Sequence, residues 1–264
     1  MGIILKSEEQ IETMRRSGRA ASKLLQSIGE GVAPGVSTWD LDQISRKTIE
    51  ELGGESSFLN YQPSSHPPYP ATICSSVNDE VVHGVPSKRR ILKDGDVVGI
   101  DVAIKISGYH GDNAFTFPVG KVKPVAKRLL DVTRASLFKG IEQAVVGNRV
   151  GDIGYAVQSF VEEEGFSVVR ELCGHGIGRE MWEEPQVPNY GKPGRGARLK
   201  PGMVIAIEPM VCEKGHRVEV LDDGWTTSTQ DGGLAAHFEH TIVILSDGPE
   251  LLTANPDLWD AAGI

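Results

Sequence analysis

The sequence predicts an α+β protein built from two copies of a helix–helix–strand unit. Segments 92–101 and 199–208 both begin Leu-Lys-x-Gly, continue through apolar residues and end on a carboxylate, Asp101 in one and Glu208 in the other. The helical segments 36–53 and 148–165 also match each other. Such a repeat predicts two related structural units. We therefore expect a single domain over residues 1–264, with half-repeats of about 1–120 and 121–264 packed about a pseudo-two-fold axis.

The helices are predicted from their start and stop signals. Ser7 and Gln10 have the spacing of a capping box, and an apolar side follows that ends at Gly29 and Gly31. Ser37 and Asp40 sit at capping spacing before a second helix, which Gly53-Gly54 stops. The remaining helical patterns cover Val125 to about Val145 and Ile153 to Glu164.

Strands and loops are predicted between and after the helices. Residues 60–70 carry four prolines and read as a loop. The pattern turns to strands from Thr72 onward, most clearly at Val97-Val98-Gly99-Ile100. Residues 167–251 are expected to be mostly strand and loop.

Charge and cysteine content narrow the class of protein. The net charge of -9 argues against a nucleic-acid duplex or an anionic membrane as the main partner. The chain has three cysteines, none in a CxxC pair, which favours a reducing compartment. The short apolar start before Lys6 does not read as a signal peptide, and no segment approaches the length of a membrane span. We expect a cytoplasmic protein.

The repeat also predicts a cluster of acids. Asp112 follows Asp101 at odd spacing across a turn at Ser107-Gly108, so a hairpin places both acids on one face. In the second half, Glu208 and Glu239 offer the same pairing. Four converging carboxylates cannot all stay ionised without cations, and two divalent metal ions bridged by carboxylate oxygens resolve the repulsion. The alternative is that each acid is solvated at a strand end.

Two histidines complete the candidate set. His175, between Gly174 and Gly176, is a candidate metal ligand, because flanking glycines allow close backbone approach and unusual φ angles. A glycine-rich turn with a surface histidine remains the alternative. One nitrogen among oxygen ligands suits Mn(II), Fe(II) or Co(II), and Zn(II) stays possible. His83, directly after a strand, is either structural or a group that orients substrate or shuttles a proton.

The residues resemble a known family over nearly the whole chain. The segments that carry the resemblance to the bacterial-type (type I) methionine aminopeptidases are 78–86, 92–96 with 100–102, 110–112, 166–171, 174–179, 183–190, 199–203 with 207–210, and 239–243. The resemblance implies the pita-bread fold, in which a curved antiparallel sheet carries the site on its concave face and helix pairs lie behind it. It also implies an enzyme that removes the N-terminal methionine from nascent proteins by dinuclear-metal-assisted hydrolysis and prefers a small second residue.

The family's site residues fall on matching positions of this chain. The implied metal ligands are Asp101, Asp112, His175, Glu208 and Glu239. The implied cofactors are two divalent ions of Co, Mn, Fe or Zn. The resemblance places the histidine at position 83 against the substrate and gives the glutamate at position 208 a further role in proton transfer. The implied partners are N-termini of nascent chains, met transiently at the ribosome by a monomer, with no direct contact to nucleic acid or membrane.

The methionine pocket is expected to involve Tyr69, Cys74 and Trp225, which together form a soft slot for a thioether. For Trp225, a simple turn aromatic after Asp222-Asp223-Gly224 is the alternative. The chain departs from the family at Trp182, where a substrate-binding histidine is usual.

An indole N–H can donate to a carbonyl but cannot transfer a proton. Met181 also departs from the usual phenylalanine, and His66 stands where the pocket usually has a second tyrosine. Two alternatives follow: a peptide-binding pita-bread protein with weak or altered activity, and an aminopeptidase or dipeptidase that cuts before proline. Relatives of the latter kind generally carry an additional N-terminal domain, and we expect none here, because only about thirty residues precede Val32.

Overall fold

The computed structural model describes residues 2–63 and 66–259. The helices in this part of the chain are α1 (Glu8–Gly29), α2 (Thr38–Glu51), α3 (Pro124–Glu142), α4 (Val150–Glu163) and α5 (Pro256–Trp259). The strands are β1 (Glu55–Ser56), β2 (Ile73–Val77), β3 (Glu80–Val82), β4 (Val97–Ile106), β5 (Tyr109–Pro118), β6 (Ser167–Val168), β7 (Cys173–Gly176), β8 (Glu183–Pro188), β9 (Val204–Ile207), β10 (Met210–Cys212), β11 (Val218–Val220), β12 (Thr227–Thr229), β13 (Ala235–His237), β14 (Glu239–Leu245) and β15 (Gly248–Leu251).

The first two helices begin at the predicted caps. The Gln10 backbone N–H donates to Ser7 Oγ at 3.4 Å, and the Ser7 N–H donates to Gln10 Oε1 at 2.9 Å. At α2 the Asp40 N–H donates to Ser37 Oγ at 3.2 Å, and the Ser37 N–H donates to Asp40 Oδ2 at 3.0 Å. Both capping boxes are confirmed, and each satisfies backbone donors that the first helical turn leaves unpaired.

The second helix pair differs slightly from the predicted bounds. Helix α4 begins at Val150, three residues before the first apolar position that marked it, because the Asp152 carboxylate accepts the Arg149 N–H at 2.7 Å and caps an earlier turn. Helix α3 ends at Glu142 rather than near Val145. The chain then turns through Gly147, whose φ of 101° lies in the left-handed region that favours glycine.

The main sheet joins strands from both halves of the chain. Its order is β1-β4-β5-β14-β9-β7-β8, with β2 also paired to β4 and β15 to β14, and every pairing is antiparallel. The junction is β14, which pairs β5 on one side and β9 on the other. Two smaller sheets have the orders β13-β10-β6 and β11-β12-β3. The half-repeat boundary near residue 120 stays a prediction.

The long helices pack against the sheets. Helix α1 packs on β4 and β5, and helix α3 contacts β9, β10 and β13. Contact with α1 is close at Gly111, where a Cβ would lie 2.5 Å from the backbone carbonyl carbon of Ser17. Ser17 Oγ donates to the Tyr109 carbonyl at 3.0 Å and ties the helix to β5. None of the described helices has the length and apolar character that crossing a bilayer requires.

Candidate metal centre and substrate pocket

A cavity of about 370 Å³ contains every residue predicted for the site. The acids and histidine proposed as ligands are Asp101, Asp112, His175, Glu208 and Glu239, and the proposed substrate residues are Tyr69, Cys74, His83, Trp182 and Trp225. These residues come from segments spread across most of the chain. The fold brings them all to one cavity, whereas the alternative of acids scattered at solvated strand ends would leave them apart.

The first pair of acids lies on the β4–β5 hairpin. The turn is Ser107-Gly108, as predicted, and both residues have positive φ, 51° and 82°. This conformation is typical of a two-residue hairpin loop. Asp101 pairs with Ala114, and Ala103 pairs with Asp112, so both carboxylates lie on the same face, offset by two residues.

The second pair of acids comes from the neighbouring strands. Glu239 is the first residue of β14, and Glu208 follows directly after β9. Because His240 pairs with Ile207, the two glutamates are adjacent across the ladder. Thr241 locks β14 to β5: its Oγ1 donates to the Asp112 carbonyl at 2.8 Å and accepts the Asp112 N–H at 3.2 Å. The strand order thus places one acid pair beside the other.

His175 projects from β7 into the space between the two acid pairs. Its Nδ1 is 2.9 Å from the Gly176 carbonyl, so Nδ1–H donates there and Nε2 is left with a lone pair. Nε2 lies 3.6 Å from Asp112 Oδ2 and 3.5 Å from Glu208 Oε1. Asp112, His175 and Glu239 each offer one ligand atom, and these atoms lie within 4.8 Å of one another.

The glycines beside His175 have a different role from the one predicted. Neither Gly174 nor Gly176 has a positive φ. Both lie in strand β7, where a Cβ on Gly174 would collide with the Ala206 carbonyl and a Cβ on Gly176 with the Glu184 carbonyl. The expectation of unusual φ is therefore wrong. Glycine is needed because the neighbouring backbones pack too closely for any side chain.

The electrostatics of the acids favour bound cations. Removal from water raises the pKa of Asp101, Glu208 and Glu239 well above the ordinary values, and the charge of Asp112 raises them further. Asp101 Oδ1, Asp112 Oδ1 and Glu239 Oε1 are buried and have no hydrogen-bond partner among residues 2–63 and 66–259. Buried charged oxygens without partners are costly, so this donor set fits divalent metal ions.

His83 stands at the edge of this cluster. It follows β3 directly and has a φ of 60°, which is uncommon for a residue with a Cβ. Burial lowers its pKa to about 4, and His66 contributes in the same direction. The imidazole is therefore neutral at physiological pH and offers one donor and one acceptor to a substrate.

The predicted methionine pocket has soft, mostly apolar walls. Tyr69 is buried, and its hydroxyl donates to the carbonyl of Ile73 at 2.9 Å or Gly84 at 3.0 Å. Its ring meets Trp225 edge-on with centroids 5.1 Å apart, and Cys74 is also buried against the cavity. Trp225 follows a turn, which agrees with its alternative interpretation as a turn aromatic, but its ring also lines the cavity. The indole Nε1–H donates to the Pro67 carbonyl at 3.1 Å and holds the ring there.

The departures from the family pattern lie at the cavity wall. The Trp182 ring lies 6.1 Å from the His175 ring, centroid to centroid, and 4.2 Å from the ring of Tyr61. Met181 is buried and also lines the cavity. His66 packs 5.2 Å from Trp225 between ring centroids. Trp182 is thus placed at the candidate site but presents an aromatic surface instead of an imidazole.

Sequence reasoning missed two neighbours of the site. His237 Nε2 lies 3.9 Å from Glu208 Oε2, and burial lowers the His237 pKa to about 3. Thr116 holds this residue by donating to the His237 carbonyl at 2.8 Å and accepting its N–H at 2.9 Å. In the sequence, His237 lies two residues before the candidate ligand Glu239, and this spacing was the signal that could have marked it as a neighbour of the site. Tyr61 was missed because it lies in the proline-rich loop, where no periodic pattern marks a buried face.

Comparison with known proteins identifies the family. The model of metallopeptidase family M24 matches residues 12–246. The chain belongs to this family. Among relatives of this M24 peptidase, the methionine aminopeptidase of Clostridium acetobutylicum is 47% identical over 251 residues, which are 95% of this chain and 98% of that protein. The methionine aminopeptidase of Escherichia coli K12 is 45% identical over 258 residues, 97% of this chain and 96% of that protein.

Solved structures agree on the fold of this M24 peptidase. The methionine aminopeptidase of Thermotoga maritima superposes with a TM-score of 0.93 at 42% identity, covering 96% of this chain and all of that one (100%). The enzyme of Rickettsia prowazekii gives a TM-score of 0.92 at 39% identity, with 96% and 100% covered. These matches confirm the predicted α+β pita-bread fold and the assignment to the bacterial-type methionine aminopeptidases. A prolidase of Pyrococcus horikoshii, 23% identical, shares the fold at a TM-score of 0.75.

Proposed function

We propose that this M24 peptidase removes the N-terminal methionine from nascent proteins and peptides by metal-assisted hydrolysis, with a preference for a small second residue. The observation that carries the proposal is the cavity, in which a cluster of acids and one histidine adjoins a soft apolar pocket. A charged centre beside a thioether-sized slot fits a substrate whose reacting bond lies one residue from a methionine side chain.

Two divalent ions would be held by Asp101, Asp112, His175, Glu208 and Glu239. The unpaired buried oxygens and the free Nε2 of His175 support this assignment. Bound ions supply Lewis-acid activation of the scissile carbonyl and of the attacking water. The donor set is mostly oxygen, which favours Mn(II), Fe(II) or Co(II) while Zn(II) stays an alternative.

The chain's own residues orient the substrate and handle its protons. We assign His83 to the region of the free amine and the scissile nitrogen, which its neutral imidazole suits. Glu208 passes a proton toward the leaving nitrogen, and its position in the cavity, 3.5 Å from His175 Nε2, supports that role. Trp182 can donate its indole N–H to a carbonyl but transfers no proton, so carbonyl orientation without proton transfer is its proposed part.

Substrate choice follows from the pocket walls. Tyr69, Cys74 and Trp225 are assigned to the methionine side chain, whose flexible thioether packs well against aromatic edges. The preference for a small second residue is carried over from the family and rests on family membership. The proposal also includes three properties that rest on family membership alone: the enzyme meets nascent chains transiently at the ribosome, it is cytoplasmic, and it is a monomer.

The test measures release of free methionine from Met-Ala, with Leu-Ala and Met-Pro peptides alongside. Metal-stripped protein receives Mn(II), Co(II), Fe(II) or Zn(II) in turn. Metal-dependent turnover confined to Met-Ala is the expected result. Turnover of Met-Pro instead would favour an enzyme that cuts before proline. Loss of all turnover with metal bound would favour a peptide-binding protein, and Trp182→His would then show whether the indole is the cause.

A further inference from the structure

A second cavity of about 780 Å³, called the outer cavity below, adjoins the first, which is called the inner cavity. Residues common to both walls are Tyr61, Cys173, His175, Met181 and Trp182. The two cavities therefore share a wall that includes both aromatic rings, whereas the acids Asp101, Asp112, Glu208 and Glu239 line only the inner cavity. Because His175 and Trp182 of the candidate site belong to this shared wall, the outer cavity lies next to the residues proposed to hold the scissile bond.

We propose that the outer cavity is a subsite for the second to fourth residues of a peptide substrate, with the Tyr61–Trp182 pair as its binding platform. The inference rests on the proposed aminopeptidase function and goes beyond it, because it assigns a site to the part of the substrate that is not cleaved off. The ligand is an extended peptide with an apolar or aromatic third side chain.

The aromatic pair forms an exposed apolar surface. Tyr61 is 36% exposed and Trp182 is 41% exposed, although both rings are large and apolar. Their centroids are 4.2 Å apart at an interplanar angle of 39°. Two hydrogen bonds fix the backbone of Tyr61: its N–H donates to the Phe58 carbonyl at 2.9 Å, and its carbonyl accepts the Tyr69 N–H at 2.8 Å. A rigid pair of exposed rings is a surface on which apolar side chains and peptide planes stack at small entropic cost.

The remaining walls suit an uncharged peptide segment. Lys105, Glu180 and Glu184 all line this cavity, so residues of both charge signs border it. Glu183 carries no free charge, because it forms a buried salt bridge with Lys6 at 2.5 Å. The substrate's own amino group lies in the inner cavity, so the segment beyond it is neutral unless its side chains are charged.

Stacking is favoured here over addition of a strand to the sheet. The outer cavity borders β8, the last strand on that side of the main sheet. Strand addition needs a row of free backbone N–H groups, and β8 contains Pro185 and Pro188, which have none. Affinity in this cavity must therefore come mainly from side chains, of which the ring pair offers the largest apolar area.

The experiment compares kcat/KM for Met-Ala and Met-Ala-Phe-Ser using the metal-loaded enzyme. We expect the tetrapeptide to be about 10-fold better in the wild type, which corresponds to about 1.4 kcal/mol and is within the range of one aromatic contact. Tyr61→Ala and Trp182→Ala should reduce the ratio to nearly one, and Trp182→Phe should restore most of it. Tyr155→Ala is the matched control, since Tyr155 is 48% exposed on α4, outside both cavities.

A binding measurement separates failure of this inference from failure of the proposed function. Reduced-amide analogues of both peptides are titrated calorimetrically into the metal-loaded wild type and each variant. Tighter binding of the longer analogue that depends on Tyr61 and Trp182 supports the subsite, even where no peptide is cleaved. Equal affinity for both analogues, or a length preference that survives both alanine substitutions, overturns the subsite whether or not Met-Ala is hydrolysed.

Discussion

Glu239→Gln should change the stability of the protein in opposite directions with and without metal. Glu239 is buried, and one of its oxygens lies within 4.8 Å of a carboxylate oxygen of Asp112. The substitution keeps the shape of the side chain and removes one negative charge. Metal-free protein should become more stable, whereas metal-loaded protein should lose part of the stability that the metal provides.

The magnitude follows from the charge separation. Two like unit charges at 4.8 Å repel by about 3.5 kcal/mol at an effective dielectric constant of about 20. Burial raises the pKa of Glu239, so in the metal-free protein part of this repulsion is relieved by proton uptake. That uptake itself costs free energy at neutral pH, where the unfolded glutamate is ionised. The expected gain is therefore about 2 kcal/mol in the metal-free protein.

With metal present, Glu239→Gln should instead lower the stability of the protein. A ligand that binds only the folded state, at a concentration of 100 times its Kd, stabilises that state by about 2.7 kcal/mol. Because the variant should bind the metal more weakly, it should lose much of this stabilisation. Urea unfolding at neutral pH, in chelator and in saturating Mn(II), measures both effects. Glu163→Gln, at an exposed position at the end of α4, should change neither value. A Glu239→Gln variant that is less stable in chelator would refute the reasoning, because partners within the protein would then hold the carboxylate.

Three further predictions concern the scaffold and the thiols. Ser37→Ala removes the cap of α2 and should lower the free energy of unfolding by about 1 kcal/mol, measured by urea titration. Glu250→Gln breaks the two-pronged pair with Arg15, at 2.7 Å for each bond, and should cost about 0.5–1 kcal/mol at pH 7. Arg15 lowers the pKa of Glu250 in the folded protein. The pair therefore stabilises the protein fully above the pKa that Glu250 has in the unfolded chain, and this stabilisation is lost as the pH falls through the pKa of Glu250 in the folded protein. The unfolding free energies of wild type and variant should converge in acid. Cys173 is half-buried and lines both cavities, so it should react with a thiol reagent before Cys212, which is buried and whose pKa burial raises to about 12. A bound Met-Ala analogue should slow the reaction of Cys173. Equal rates with and without the analogue would contradict the placement of Cys173 at the cavity.

Features encoded locally were predictable from the sequence. The capping boxes at Ser7 and Ser37 depend on hydrogen bonds that span three residues, so their spacing alone predicts them. The Ser107-Gly108 hairpin turn is equally local. The equivalence of Asp101 and Glu208 followed from the internal repeat, which marks related positions without any knowledge of how the strands pair.

The tertiary structure decided whatever depends on the order of the strands. Gly174 and Gly176 are required by the closeness of Ala206 and Glu184. The contact of His237 with Glu208 needs β13 to pair with β10, which begins two residues after Glu208. No local pattern encodes such contacts, since they are set by the packing of segments far apart in the chain.

The same holds for the ring pair at the cavity mouth. Tyr61 belongs to a loop and Trp182 to a segment in the other half of the chain, and each reads in the sequence as a single exposed aromatic residue. By itself the sequence determined the helices, the hairpin and the set of candidate ligands, because these depend on spacing along the chain. Only the folded sheet decided which side chains face one another across the cavity, because that depends on distances in space between residues that the chain keeps far apart.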